Sequence, residues 1–224
     1  MRFPLQLGVT LALLATLAGL AARRRFTLCW SFVAYAAAIL VCGNLVALWP
    51  ARFWTPEFWG VKQTVYDLAK VAVALELAWR VVRAFPGAMR SARRAVVVLL
   101  FFCTGLAVVV PARGGLMGDV HMRSVAVVVW LLGLSAIVAM WYRLPIHSWH
   151  RALLLGFSGY LMVFTVLLQG LRAEGWPAAA VLGRLDGFAY LAVTCWWAVA
   201  AWRVEPAPAD VPAEVLRRLR LETP

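Results

Sequence analysis

Apolar runs nearly as long as a membrane is thick recur along this chain and limit what it can fold into. A helix needs roughly 20 apolar residues to cross about 30 Å of hydrocarbon, because it rises only about 1.5 Å per residue. Seven segments approach that length, and none alternates as a barrel strand would. The sequence therefore predicts an all-α polytopic membrane protein with seven transmembrane helices, at 3–22, 26–48, 61–82, 95–110, 125–141, 153–171 and 188–202.

The overall composition agrees with a membrane location. Of the 224 residues, 64% are hydrophobic and 14% are charged, a balance that would leave a water-soluble fold with uncovered apolar surface. The net charge of +12 raises the question of nucleic acid, but the basic residues lie in gaps between apolar runs. We therefore expect no nucleic-acid partner, and contact between these residues and anionic lipids at the cytoplasmic face of the bilayer.

The distribution of Lys and Arg predicts the orientation. Alternate gaps place fourteen basic residues on one side and seven on the other, and the richer side is expected in the cytoplasm. This arrangement predicts an outer N-terminus and an inner C-terminus in a bacterial inner membrane. Residues 1–203 would form the transmembrane domain, and 204–224 a cytoplasmic tail whose short amphipathic helix lies on the inner leaflet or docks on a partner.

A weak internal repeat relates the second span to the sixth. Three residues of similar type recur at one constant offset: Phe32, Tyr35 and Asn44 correspond to Phe157, Tyr160 and Gln169. The pair Trp79-Arg80 is echoed by Trp202-Arg203 at nearly the same offset. A parallel 3+1+3 pseudo-repeat, with the fourth helix as connector, would explain both matches.

The third span holds nearly all the charge found within apolar segments. An ionised side chain there costs about 2.5 to 3.5 kcal/mol on insertion, so such residues are candidates for function. Asp67 and Lys70 are three residues apart, and Glu76 and Arg80 four apart, which are spacings that allow ion pairs within one helix. One interpretation is structural: the pairs neutralise themselves and orient a central helix.

The functional interpretation joins this span to polar residues at similar depth in its neighbours. An outward-facing cavity for a small polar ligand or ion would then form, with Trp196 and Trp197 as its floor and Glu76 with Arg80 as an inner ion pair or gate. The predicted ligand-binding residues are Asn44, Lys62, Tyr66, Asp67, Lys70, Gln169, Asp186 and Tyr190.

No other pattern indicates catalysis, a metal or a cofactor. The four cysteines lie in or beside apolar segments without paired spacing, and are expected to be small apolar fillers. His147 and His150 could share one helical face, but no third ligand lies near them in sequence. Phosphate-binding glycine loops, nucleophile elbows and zinc-protease motifs are missing from the sequence.

Three functional hypotheses follow. The favoured one is a sensor or receptor that binds a small polar ligand and passes a signal to a cytoplasmic partner. The first alternative is a transporter for a small polar solute, which requires the cavity to open on both sides. The second is an intramembrane lipid-modifying enzyme, which requires acids or histidines that converge at one depth. The balance of these features leans away from an enzyme.

Overall fold

The computed structural model describes residues 2–84, 94, 98, 116–141, 144, 146–174 and 179–204. Within these residues the chain forms seven α-helices, a 3-10 helix at Phe26–Leu28 and no β-strand, which confirms the all-α class. The α-helices are α1 (Arg2–Ala22), α2 (Trp30–Leu48), α3 (Pro50–Phe53), α4 (Pro56–Arg83), α5 (Leu116–Trp141), α6 (Ser148–Glu174) and α7 (Ala179–Trp202).

The helices depart from the predicted spans at several ends. The segment 26–48 is divided at Cys29 instead of forming one helix, and α5 and α7 each begin nine residues before their apolar runs. A helix continues through polar residues wherever its backbone bonds hold, so the apolar run marks only part of it. The predicted fourth span, 95–110, and the predicted tail helix lie outside the described residues.

Four helices are long and apolar enough to cross a membrane, which is consistent with an integral membrane protein. The stretches are Pro4–Ala22, Trp30–Leu48, Ser148–Leu171 and Ala179–Trp202. The apolar part of α5, Val125–Trp141, is shorter, and α4 carries the charged residues described above. Large apolar side chains such as Leu68, Trp130 and Val166 face outward, where lipid would cover them.

Six of the helices form a closed ring. Each packs against two neighbours in the order α1, α2, α4, α5, α6, α7 and back to α1, while the short α3 packs on α2. The α1–α7 contact is the most extensive, because small residues such as Gly19 let the backbones approach: a Cβ on Gly19 would lie 3.1 Å from that of Ala201. The ring therefore brings the first and last described helices side by side.

The C-termini of α1 and α7 are tied together at one end of the ring. Arg24 adopts a left-handed conformation at φ 54°, and the amide of Arg25 donates to the carbonyl of Leu20 at 2.7 Å, which closes α1 with a Schellman-type turn. The Arg25 side chain then donates to the carbonyl of Arg203 at 3.1 Å. Cations at helix C-termini also interact favourably with the helix dipoles.

Aromatic rings fill the centre of the ring of helices. Trp197 of α7 packs 4.5 Å from Phe157 of α6 and 5.2 Å from Phe32 of α2, measured between ring centroids. Phe32 also makes an edge-on contact with Trp149, at 5.3 Å. All four side chains are buried, and tilted or edge-on aromatic pairs of this kind add to the stabilisation from burial alone. We call Phe32, Trp149, Phe157 and Trp197 the aromatic cluster.

The aromatic cluster leads to a stability prediction at Gly156. A Cβ added there would clash with the indole nitrogen of Trp197, whereas one added at Gly159, in the same helix, would meet nothing within 4 Å. We expect Gly156→Ala to cost roughly 1 to 3 kcal/mol through overpacking. Gly159→Ala is the matched control and should be neutral or slightly stabilising, since alanine favours helices.

Thermal unfolding of the two variants in detergent, followed by near-ultraviolet circular dichroism, measures the difference. Equal melting temperatures for Gly156→Ala and Gly159→Ala would show that Trp197 does not pack directly against Gly156.

Candidate functional site

A cavity of about 810 Å³ opens between five helices of the ring. Its walls come from the first half of α1, the middle of α2, the first half of α4, the middle of α6 and the first half of α7. A cavity of this size lies within the range that holds small organic ligands. The cavity occupies the end of the ring opposite the arginine-tied termini of α1 and α7.

The wall from α4 is a polar and aromatic stripe. Five of its side chains line the cavity: Trp59, Lys62, Gln63, Tyr66 and Lys70. They lie on one face of the helix because successive turns place residues there every three or four positions. From Lys62 to Lys70 the stripe extends about 12 Å along the helix axis. This helix can begin so early because Thr55 Oγ1 accepts a hydrogen bond from the Phe58 amide at 3.2 Å, and Pro56 suits the first turn.

The opposite wall contains hydrogen-bonded tyrosines and one carboxylate. Tyr160 of α6 donates to Asp186 of α7 at 3.2 Å, and the hydroxyl groups of Tyr35 and Tyr190 lie 3.3 Å apart. The rings of Tyr160 and Tyr190 pack with centroids 5.0 Å apart. The polar groups of three helices, α2, α6 and α7, are therefore already held in position before any ligand arrives.

Lys70 forms an ion pair behind the cavity surface. Its Nζ lies 2.9 Å from Asp67 Oδ1, and both side chains are only 12% exposed. Gln63 Nε2 also donates to Asp67 Oδ1 at 3.2 Å. Lys70 therefore reaches the cavity with its charge balanced within its own helix, and it also attracts Asp186 across the cavity.

The aromatic cluster lies next to the inner end of the cavity. Tyr35 lines the cavity and packs against Phe157 at 5.2 Å, so it joins the cavity to the cluster. The indole nitrogens of Trp149 and Trp197 have no hydrogen-bond partner among the described residues. Neither predicted floor residue is among those that line the cavity: Trp197 is buried within the cluster, and Trp196 is exposed.

Glu76 joins two helices at the far end of the ring. Its Oε2 accepts hydrogen bonds from the Ser31 hydroxyl at 2.6 Å and the Ser31 amide at 3.1 Å, and so caps the N-terminus of α2. Its Oε1 accepts from Arg80 at 3.2 Å. The predicted pair is formed, but its carboxylate is engaged by the start of another helix. Whether the pair acts as a gate stays a prediction.

The two neighbouring histidines bond to the backbone. His147 Nδ1 accepts a hydrogen bond from the Trp149 amide at 3.1 Å and so caps α6, while His150 Nε2 donates to the Leu28 carbonyl at 2.9 Å. Their rings lie 5.7 Å apart. His147 therefore caps the start of α6, whereas His150 ties the first turn of α6 to the 3-10 helix at Phe26–Leu28.

The structure brings together part of the predicted ligand-binding set. Five of its members line the cavity: Lys62, Tyr66, Lys70, Asp186 and Tyr190. Asp67 lies behind Lys70, as described. Asn44 instead donates to its own helix at the Leu40 carbonyl and lies 3.5 Å from Thr10 of α1, and Gln169 is exposed on α6. A ligand-binding role for any of these residues stays a prediction.

Other lining residues were missed by the analysis of the sequence. The polar and aromatic ones are Gln6, Tyr35, Trp59, Gln63, Tyr160, Phe164 and Arg184. The stripe on α4 could have been found from its periodicity, since positions 59, 62, 63, 66 and 70 share a helical face. On α7, Gly183 leaves room near Asp186, whereas the space at Gly187 is filled by Leu5 of α1. A glycine beside the acid of an apolar span is a second usable signal.

Comparison with known protein families, curated proteins and solved structures gives no match for this chain.

The Lys70–Asp67 pair leads to a first prediction for the site. Asp67→Asn removes the negative charge and leaves a lysine with little access to water, so we expect a loss of roughly 3 kcal/mol or more in unfolding free energy. Glu57→Gln, in the exposed first turn of the same helix, should cost less than about 1 kcal/mol. Thermal unfolding in detergent compares the two. A Glu57→Gln loss equal to that of Asp67→Asn would contradict the described burial of the pair.

Glu76 and Arg80 lead to a second prediction. Glu76→Ala removes the cap of α2 as well as the ion pair and should cost about 1 to 2 kcal/mol. Arg80→Ala removes only a partly exposed pair, for which about 0 to 1 kcal/mol is typical. Urea titration of both variants in detergent tests the order. Equal losses would mean that the ion pair, and not the cap, is the interaction that matters.

Proposed function

We propose that this chain is a sensor-type integral protein of a bacterial inner membrane, which binds a small polar ligand in its cavity. Seven helices would cross the bilayer, with the N-terminus outside and the C-terminus inside. The observation that carries the proposal is the cavity itself: it is lined by polar and aromatic side chains, lies at one end of an otherwise apolar ring and has the aromatic cluster below it.

The orientation is supported by the charges at the two ends. Arg25 and Arg203 lie at the end of the ring away from the cavity, and α4 ends there with Arg80 and Arg83 in its last turn. A basic end is expected in the cytoplasm, so the cavity would open outward. The same basic end would contact anionic lipid headgroups.

The position of the aromatic cluster below the cavity favours a sensor over a transporter. A solute that enters the cavity meets Tyr35 and then the buried rings of Phe157 and Trp197, and transport would require these rings to separate. A sensor needs only that ligand binding changes the packing of helices that reach the other end. A cytoplasmic signalling partner would then read the change.

Cysteine accessibility tests the proposal. In a variant without native cysteines, Gly183→Cys places a thiol in the cavity where an added Cβ meets nothing within 4 Å, and Tyr66→Cys places one on the opposite wall. We expect a membrane-impermeant maleimide to label both from the outside of intact cells and neither from the inside of inverted vesicles. Leu68→Cys, on the 66% exposed outer face of α4, is the lipid-facing control and should stay unlabelled from both sides.

Each other outcome would be informative. Labelling of a cavity position from both sides would favour the transporter, because the floor must then open. Absence of labelling at both cavity positions would contradict the ligand-binding proposal altogether.

A further inference from the structure

We infer that the ligand of this cavity is a small organic anion with an aromatic or otherwise flat apolar body. The inference rests on the proposed function and goes beyond it by naming the chemical class that the cavity suits. Two observations carry it, the balance of charge among the lining residues and the kind of surface that surrounds those charges.

Among the residues that the structure describes, two cations of the cavity wall have no counter-charge. Three basic residues line the cavity, against a single lining acid. Lys70 is paired with Asp67 at 2.9 Å, and Asp186 already accepts a hydrogen bond from Tyr160 and is attracted by Lys70. Lys62 and Arg184 form no ion pair with any residue that the structure describes.

These two cations lie on different helices that face each other across the cavity. Lys62 belongs to the second turn of α4 and is half-buried, while Arg184 lies in the second turn of α7 at the exposed mouth. Lys62 is half-buried in an apolar protein body, where a charge is stabilised by a partner, and an anionic group would provide one, with the exposed Arg184 as a second cation at the mouth. Arginine and lysine are also the side chains that bind carboxylate and phosphate oxygens most strongly.

The surface around the cations is largely aromatic. Lys62 Nζ lies 3.8 Å from the centroid of the Trp59 ring and 5.9 Å from that of Tyr66, so cation–π attraction holds the ammonium group against the wall. Deeper in the cavity lie the rings of Tyr160, Phe164 and Tyr190. Flat apolar groups pack well on such rings, so the body of the ligand is expected between the two walls and its anionic group near the mouth.

An anionic group at the mouth could come from a free organic acid or from the headgroup of an anionic lipid, since both present charged oxygens. The test therefore includes both sources. The full chain is placed in nanodiscs of phosphatidylcholine, which carries no net charge, and three matched probes are added: 3-phenylpropionate, 3-phenylpropanol and 3-phenylpropylamine. Saturation-transfer NMR, with empty nanodiscs as the baseline for partitioning, gives the three dissociation constants.

We expect the carboxylate to bind at least about tenfold more tightly than the alcohol or the amine, the scale of one charge-assisted hydrogen bond. Lys62→Gln and Arg184→Gln should each weaken carboxylate binding about tenfold, and Lys62→Arg should preserve it. Arg52→Gln is the matched control: it removes a cation from α3 near the same end of the ring but outside the cavity, and should change nothing. If phosphatidylglycerol in the nanodisc displaces the carboxylate, the source of the anion is the lipid headgroup.

Two results would overturn the inference. Binding of the amine or the alcohol as tight as that of the carboxylate would leave a ligand-binding cavity but remove its anion preference. Failure of all three probes to bind would also refute the assigned class, while cavity labelling from outside would still stand as support for the proposed function. The two proposals therefore fail through different measurements.

Discussion

The packing of Trp197 against Phe32 and Phe157 is the interaction on which the rest of this structure depends. These rings come from three helices that are separate in sequence, and they meet in the centre of the ring. Aromatic side chains are large enough to fill that space, and Gly156 makes room for the indole. Because the cluster fills only one part of the axis, the other part stays open as the cavity.

The second constraint is that charges in an apolar body need partners, and α4 meets it in two ways. Toward the cavity, Asp67 and Lys70 neutralise each other on the same helix. Toward the other end, Glu76 finds its strongest contacts on another helix, at the hydroxyl and amide of Ser31. The Asp67–Lys70 pair lies within one helix and so does not fix the rotation of α4, which is set by its apolar contacts. The Glu76 contact joins α4 to the start of α2.

The all-helical class was readable from the sequence, but helix rotation was not. Position along a helix follows from counting at a fixed rise per residue, and the structure brings Lys62, Tyr66 and Asp186, which were grouped on that basis, to one cavity. Rotation must be read from an uneven distribution of polar residues, and helices such as α2 are apolar on nearly every face. Asn44 was therefore assigned to the cavity, although α2 directs it toward Thr10 of α1.

The position of α4 in the ring gives the proposed sensor a physical route between its ends. Lys70 lines the cavity and Glu76 caps α2 within the same continuous helix, about 9 Å apart along its axis. A ligand that draws Lys62 and the cavity end of α4 toward α7 would move a rigid helix, and Glu76 would move with it. Since its carboxylate accepts from the Ser31 amide and hydroxyl at the start of α2, the displacement would strain that cap or carry the start of α2 along. Such a coupling requires that the ligand binds more tightly to one position of α4 than to the other. A counter-charge for Lys62 supplies a difference of that kind.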